Sequence, residues 1–161
     1  MRRYLPIFLA LLSCVSCVAQ QQAEEVKRVD IFAGYQYAHL FPSENGQGWN
    51  MAATANLNRA LGFTADFSGS YERGSALYTY MVGPTVSART KWVTPFAHAL
   101  FGGGHADGIN AFAMALGGGV DVNASKNFSI RAIQVDWMSF RRAGESINGN
   151  VRASAGVVFR F

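Results

Sequence analysis

The sequence predicts an all-β protein, an eight-stranded antiparallel up-and-down transmembrane β-barrel, on three observations. Between residues 29 and 161 the apolar residues recur with a period of two rather than 3.6. Eight segments show this alternation, each close to the ~10 residues that a tilted strand needs to cross a bilayer. Aromatic residues gather near the ends of these segments, where membrane barrels have two aromatic girdles.

The N-terminal residues 1–19 are predicted to be a cleaved signal peptide. Arg2 and Arg3 supply the positive start, and an apolar stretch follows at 5–12. This stretch is shorter than the roughly 20 residues of a membrane-spanning helix, which favours cleavage over anchoring. The residues before Cys14 loosely resemble a lipoprotein box, so lipidation of Cys14 or Cys17 is left open.

The remaining chain is expected to contain a short periplasmic segment at 20–28 and one barrel domain at 29–161, present as a monomer. Both cysteines lie in the signal peptide, which excludes disulfides from the mature protein. Without Arg2 and Arg3, 12 of the 14 basic residues remain against 10 acidic ones, a balance that argues against nucleic-acid binding. No later segment is long enough for a membrane-spanning helix, so any membrane-spanning structure would have to be built from strands.

The eight alternating segments share a pattern of one apolar and one polar or small face. In "WNMAATANL", for example, Trp49 and Met51 lie on the apolar face, and Asn50 lies on the other. The alternation does not decide where His98 points, and it places Arg131 on the apolar face, presumed to be at the membrane edge. In chain order the segments are "VDIFAGYQY", "WNMAATANL", "GFTADFSGSY", "YTYMVGPTVSA", "VTPFAHALFGG", "NAFAMALGGGVDV", "RAIQVDWMS" and "VRASAGVVFRF".

The apolar face is predicted to point outward, into lipid. The opposite face is too polar and too small to fill a dry core, which disfavours the alternative of a soluble lipocalin-like binder. The aromatic residues are also sorted by strand end, as two girdles at the headgroup level require. One girdle is predicted from Tyr35, Tyr37, Trp49, Tyr71, Tyr78, Tyr80 and Trp137, and the other from Trp92, Phe128, Phe159 and Phe161.

The connections between segments predict the orientation of the barrel. Short turns at 58–60, 90–91 and 124–127 are expected to face the periplasm. Longer connections at 38–48, 104–110 and 141–149, rich in Gly, Asn and charge, are expected to face outward. The connection at 72–75 is short where this scheme requires a long one. Loops 38–48 and 141–149 are the candidate surfaces for an extracellular partner.

Charged residues on the inward face predict the interior of the barrel. Buried charges require partners, so they are expected to form a salt-bridge network that closes the lumen, with a structural role favoured over transport. The predicted members are Asp66, Asp121, Asp136, Arg152 and Arg160.

Catalytic residues, cofactors and metal ligands are not predicted. His39 with Ser43 and Glu44 could be arranged as a lipid-modifying site at the rim, but no motif of such enzymes surrounds them. The glycine runs at 102–104 and 117–119 lack the Lys-Ser/Thr and the helix of a phosphate-binding loop.

Three segments resemble the small outer-membrane β-barrel proteins related to the transmembrane domains of OmpA and OmpX, a porin-like family. These segments are "YTYMVGPTVS", "GGGVDVNASKNFSIRAIQVDW" and the terminal "VVFRF". The resemblance implies the outer membrane of a diderm bacterium, with outer-membrane lipid as the surroundings. It also implies that Val157, Phe159 and Phe161 are recognised by the barrel insertion machinery. The peptidoglycan-binding domain of OmpA is not carried over, because the chain is expected to end at the barrel.

The sequence therefore predicts a protein with a structural or interaction role in the cell envelope, without enzyme activity. A narrow, low-conductance porin is the main alternative. A lipid-modifying rim enzyme and a soluble binder are less favoured.

Overall fold

The computed structural model describes residues 27–40, 44–72, 74–142 and 145–161, so the predicted signal peptide and most of 20–28 lie outside it. Eight strands form a closed barrel in which every strand pairs antiparallel with its sequence neighbours and β1 pairs with β8, as predicted. In the described part of the chain there is no helix that is long and apolar enough to cross a membrane. The strands are β1 (Val29–Leu40), β2 (Glu44–Asn56), β3 (Leu61–Glu72), β4 (Ser75–Ser87), β5 (Val93–Ala106), β6 (Ile109–Asn123), β7 (Phe128–Arg142) and β8 (Glu145–Arg160).

The two faces of the barrel wall have opposite chemistry. In β4, for instance, Tyr80 and Val82 are exposed on the outer face while Thr79 and Met81 are buried in the lumen. Side chains in a strand alternate between the two faces of the sheet, so period-two patterning becomes an apolar exterior and a mainly polar interior. This arrangement is the reverse of a soluble barrel, whose apolar face is turned inward.

The prediction of long outward connections at 38–48, 104–110 and 141–149 is wrong. Strand pairing continues through most of these segments, with Ala38 opposite Gly46 and Arg141 opposite Ser146. Only residues 41–43, 73–74, 107–108 and 143–144 separate the strands at this end, which we call the hairpin end. Its polar residues pair across the strands instead of ending them, so their composition is a poor guide to loop length.

The β5–β6 hairpin shows how tight these connections are. Asp107 and Gly108 both have positive φ, 48° and 78°, as a two-residue type I′ turn requires. At the opposite end, residues 57–60, 88–92 and 124–127 connect the strands beside residues 27–28 and 161. We call this the turn end.

Arg131 points into the lumen, and its predicted position on the apolar face is wrong. The register of β7 against β8 shifts between Arg131 and Gln134, and both intervening residues, Ala132 and Ile133, are exposed. A bulge inserts one extra residue and therefore reverses the alternation on one side of it. His98, whose direction the sequence did not decide, also lies inside the barrel.

Candidate functional site: the barrel lumen and its two ends

A group of buried charges, the central cluster, crosses the middle of the lumen. Arg152 on β8 donates hydrogen bonds from Nη1 to Asp66 Oδ1 at 2.8 Å and from Nη2 to Asp136 Oδ2 at 2.6 Å. All three side chains have 0% relative exposure. One guanidinium therefore holds together three strands, β3, β7 and β8, from inside the barrel.

The remaining oxygens of the two carboxylates in the central cluster are also hydrogen-bonded. Asn50 Nδ2 donates to Asp66 Oδ2 at 2.9 Å, and the His98 ring contacts Asp136 through Nε2 and Oδ1 at 2.7 Å. Buried carboxylates are tolerated only when their lone pairs are occupied in this way.

A second group of charges, the mouth cluster, lies in the lumen towards the turn end. Arg131 contacts Asp121 through Nε and Oδ1 at 2.8 Å, and Arg160 approaches the same carboxylate at 3.5 Å. Arg89 binds Asp30 at 2.8 Å on the other side of the lumen.

Gln134 joins the two clusters into one network. Its side-chain oxygen accepts a hydrogen bond from Arg131 Nη1 at 2.7 Å, and its Nε2 donates to Asp136 Oδ2 at 2.8 Å. With His98 neutral, the four arginines of the two clusters balance the four aspartates. The interior therefore combines many ions without net charge, which removes much of the cost of burying them.

The five network residues predicted from the sequence are all inside the barrel, but in two separate groups. Asp66, Asp136 and Arg152 belong to the central cluster, while Asp121 and Arg160 belong to the mouth cluster. Five further members of the network were not predicted from the sequence: Asp30, Arg89, His98, Arg131 and Gln134. Asp30 alternates in step with the inward-facing residues of β1, so its place in the network could have been predicted. The inward direction of Arg131 could not, because it depends on the bulge.

Towards the hairpin end, the lumen wall formed by β4–β7 is apolar, whereas the buried Gln36 on β1 and Ser70 on β3 are polar. Met81, Leu100, Met138 and Phe140 are buried together with Ala113 and Ala115 on the inner wall of β4–β7. Side chains of this size fill a barrel of eight strands, whose interior is only wide enough for side chains. The lumen thus contains apolar packing at one level and ion pairs at two others.

One cavity of about 30 Å³ lies between the two charged clusters, lined by Asp30, Thr64, Asp66, His98 and Arg131 among others. A buried water needs roughly 10–15 Å³ of such space and several polar partners. The cavity has room for about two waters.

Arg131 is held between two aromatic rings. Its guanidinium carbon lies 4.3 Å from the ring centre of Phe32 and 4.2 Å from that of Phe96. We expect Arg131→Lys to lower the free energy of unfolding by about 1–3 kcal/mol, because lysine replaces a planar, stacked fork with a single point of contact. Urea unfolding followed by tryptophan fluorescence measures this. The exposed Arg141→Lys is the matched control, and an equal effect of the two changes would contradict the assignment.

The aromatic residues of the first predicted girdle, the one that contains Trp49, are all exposed on the barrel exterior. Trp49 Nε1 donates to Tyr71 Oη at 3.2 Å, and the Tyr71 and Tyr78 rings meet edge to face at 6.0 Å. A Cβ atom on Gly69 would lie 2.9 Å from Trp49 Nε1, so glycine is required for the indole to lie across β3. The complete set is Tyr35, Tyr37, Trp49, Tyr71, Tyr78, Tyr80 and Trp137.

The residues predicted at the other girdle lie at the turn end. Trp92 and Phe161 are strongly exposed, and Phe128 packs against Phe159 with ring centres 5.4 Å apart. Val157, the third residue of the predicted insertion signal, is partly buried on the same outer face of β8. Their recognition by an insertion machinery stays a prediction.

The suggested rim enzyme site has no geometry to support it. His39 Nδ1 lies 2.7 Å from Asn45 Oδ1 on the neighbouring strand, and Ser43 lies outside the described residues. Within the described ranges, no group of three or more His, Cys, Asp or Glu residues could hold a metal ion. The absence of catalysis stays a prediction.

Comparison with solved structures finds eight-stranded membrane barrels. The Neisserial surface protein A matches with a TM-score of 0.66 at 17% identity, over 83% of this chain and 96% of that one. The attachment invasion locus protein Ail of Yersinia pestis, solved with the heparin analogue sucrose octasulfate, has a TM-score of 0.54 at 16% identity, over 83% and 96%.

The N-terminal barrel domain of Pseudomonas aeruginosa OprF matches with a TM-score of 0.55 at 11% identity, over 84% of this chain and 98% of that one. No protein-family model matches the chain, and no curated protein matches it either. At these identities the similarity shows the shared fold.

Proposed function

We propose that this protein is an outer-membrane β-barrel of a diderm bacterium, with a structural or interaction role in the envelope and a lumen closed to ions. The observation that carries the proposal is the reversed chemistry of the wall: large apolar side chains outside, charges and amides inside. Such an exterior is stable only against lipid, and a closed barrel leaves no strand edge unpaired there. The fold neighbours from Neisseria, Yersinia and Pseudomonas are consistent with this setting.

Three successive layers across the lumen support the proposal that it is closed. The apolar cluster around Leu100 and Phe140 excludes water at one level, and the central and mouth clusters fill the other two. An ion would have to break the contacts of Arg152 or Arg131 to pass. This disfavours the alternative of a narrow porin.

The hairpin end is the proposed surface for an extracellular partner. In this arrangement residues 38–48 and 141–149 present a short, paired rim with exposed His39, Arg141 and Arg142 rather than long loops. The proposed contact for the insertion machinery at the opposite end consists of Val157 and Phe159 on the outer face of β8 and Phe161, which follows the strand. We infer that the protein acts as a monomer, with outer-membrane lipid covering its wall.

Two measurements on the purified, refolded protein test this proposal. We expect the folded protein to stay with phosphatidylcholine vesicles after carbonate extraction and to migrate differently on a gel with and without boiling. In planar bilayers we expect no steady conductance steps. Recovery in the aqueous fraction would overturn the membrane assignment, while steady channels from the same preparation would overturn only the closed lumen and favour the porin.

A further inference from the structure

The turn end carries a basic side chain in every one of its connections. Residues 57–60, 88–92 and 124–127 contain Arg59, Lys91 and Lys126, and none of the three stretches contains Asp or Glu. Lys91 and Lys126 are exposed, whereas Arg59 is half-buried and makes a contact of its own. Residues 27–28 add Lys27 and Arg28 beside them. In the sequence these two follow Glu24 and Glu25, which lie outside the described residues, so the three turns carry the argument.

The connections of the turn end are joined into a continuous ring. Backbone hydrogen bonds of 2.8 Å link each connection to the adjacent strand: Asn56 N to Arg28 O, Ser87 N to Ala60 O, Asn123 N to Trp92 O and Arg160 N to Asn127 O. The turns therefore have fixed positions around the barrel. Their basic residues surround the barrel on several sides instead of forming one patch.

Arg59 and Lys91 each have a strongly exposed apolar residue in the same turn. Leu57, next to Arg59 in the same turn, is 76% exposed, and Trp92, next to Lys91, is 70% exposed. The Lys91 ammonium lies 5.2 Å from the centre of the Trp92 ring. Lys126 is followed by Phe128, which packs on Phe159.

This pairing of a cation with an apolar group is the chemistry of a lipid interface. The apolar group can enter the acyl region while the cation remains at the level of the phosphates. A soluble anionic partner would use the cations but would leave Leu57 and Trp92 exposed to water.

The hairpin end has a different charge pattern. Its connections and the strand ends beside them contain Glu44, Glu72, Asp107 and Glu145 as well as Arg73, Arg141 and Arg142. A mixed set of charges has no net attraction for an anionic surface. The two ends of the barrel therefore differ in net charge.

We propose that the turn end selects anionic phospholipids, whose phosphates Arg59, Lys91 and Lys126 bind, in the leaflet next to it. This inference rests on the proposed membrane function and adds a lipid preference to one end of the barrel. Basic residues at a membrane surface attract anionic headgroups, and the attraction is weakened by salt.

Boundary-lipid electron paramagnetic resonance tests this inference. The protein is reconstituted in phosphatidylcholine vesicles with trace spin-labelled phosphatidylglycerol or phosphatidylcholine. We expect the folded protein to enrich the phosphatidylglycerol probe about twofold or more over the phosphatidylcholine probe. The variant Arg59→Gln/Lys91→Gln/Lys126→Gln should abolish this preference, and the hairpin-end variant Arg141→Gln/Arg142→Gln should retain it.

The double variant Lys91→Gln/Lys126→Gln should lose part of the preference and serves if the triple variant does not fold. Equal association of both probes with the wild type, or an unchanged preference in the turn-end variants, would overturn the inference. In that case insertion into the vesicles would still support the proposed function, whereas failure to insert would refute the function itself.

Inorganic phosphate separates a lipid surface from a site for free phosphate. At matched ionic strength, phosphate and chloride should weaken the preference equally, because both act by screening. Loss of the preference in phosphate alone would show a site for the free anion and would overturn the assignment to lipid.

Discussion

Replacing Arg152 with methionine is expected to lower the free energy of unfolding by about 3–5 kcal/mol, the largest effect of any single change considered for this barrel. The side chain is wholly buried and contacts both Asp66 and Asp136. Its loss leaves two buried carboxylates in the lumen without their cation.

The midpoint of urea unfolding in phosphatidylcholine vesicles, followed by tryptophan fluorescence, measures this effect. Arg141→Met is the matched control on the exposed hairpin end and should change stability by less than about 0.5 kcal/mol. Adding Asp66→Asn and Asp136→Asn to the Arg152→Met variant should restore most of the loss, because neutral amides need no cation. If Arg152→Met were as stable as Arg141→Met, the central cluster would not hold the barrel together.

Gly117→Ala is expected to destabilise the barrel by about 1–3 kcal/mol by overpacking the lumen. Gly117 lies on β6 directly between His98 on β5 and Asp136 on β7 in the strand pairing. A Cβ atom there would lie 2.1 Å from Asp136 Oδ1 and 2.4 Å from Val135 O. The absence of a side chain is what allows the histidine and the carboxylate to meet across the intervening strand.

Gly46→Ala provides the matched control for Gly117→Ala. The nearest atom to a Cβ at Gly46 is Ser70 Cβ at 3.0 Å, and the next is the serine hydroxyl at 3.7 Å, so a small adjustment accommodates the methyl group. In a His98→Ala background, Gly117→Ala should cost less than in the wild type, because the contact it displaces is already gone. If the losses of stability caused by His98→Ala and Gly117→Ala were additive, Gly117 would not provide the space in which His98 and Asp136 meet.

The strand number, pairing order and inward face of most strands follow from the sequence because alternation is a local property. Trp49 and Asn50 show the wall's two faces within two residues, and the same parity extends along nearly the whole of β2. Closure of eight such strands then places Asp66, Asp136 and Arg152 inside, although nothing in the sequence says which aspartate meets which arginine. That choice depends on the register between strands that are far apart in the chain.

Two features could not be predicted from local patterns. The bulge next to Arg131 shifts β7 against β8, and the alternation within β7 alone does not indicate it. The hairpin end was mistaken for loops because Asn45 and Asn110 favour turns in general, yet here they contact His39 and His105 across the strands. Turn-forming composition shows where a chain can bend, and the partner strand decides whether it does.

The closed strand order has a consequence for the kinetics of folding. Seven of the eight strand pairings join neighbours in sequence, whereas β1 must find β8, which is the strand farthest from it in sequence. The seven local pairings have a small loop-closure entropy and can form as successive hairpins, but the last one closes a loop of almost the whole domain. The contact between Arg152 on β8 and Asp66 on β3, 86 residues apart in sequence, is also made only when distant parts of the chain come together. The buried ions thus favour closure of the barrel, which is the slowest pairing step, and they stabilise the closed barrel once it has formed.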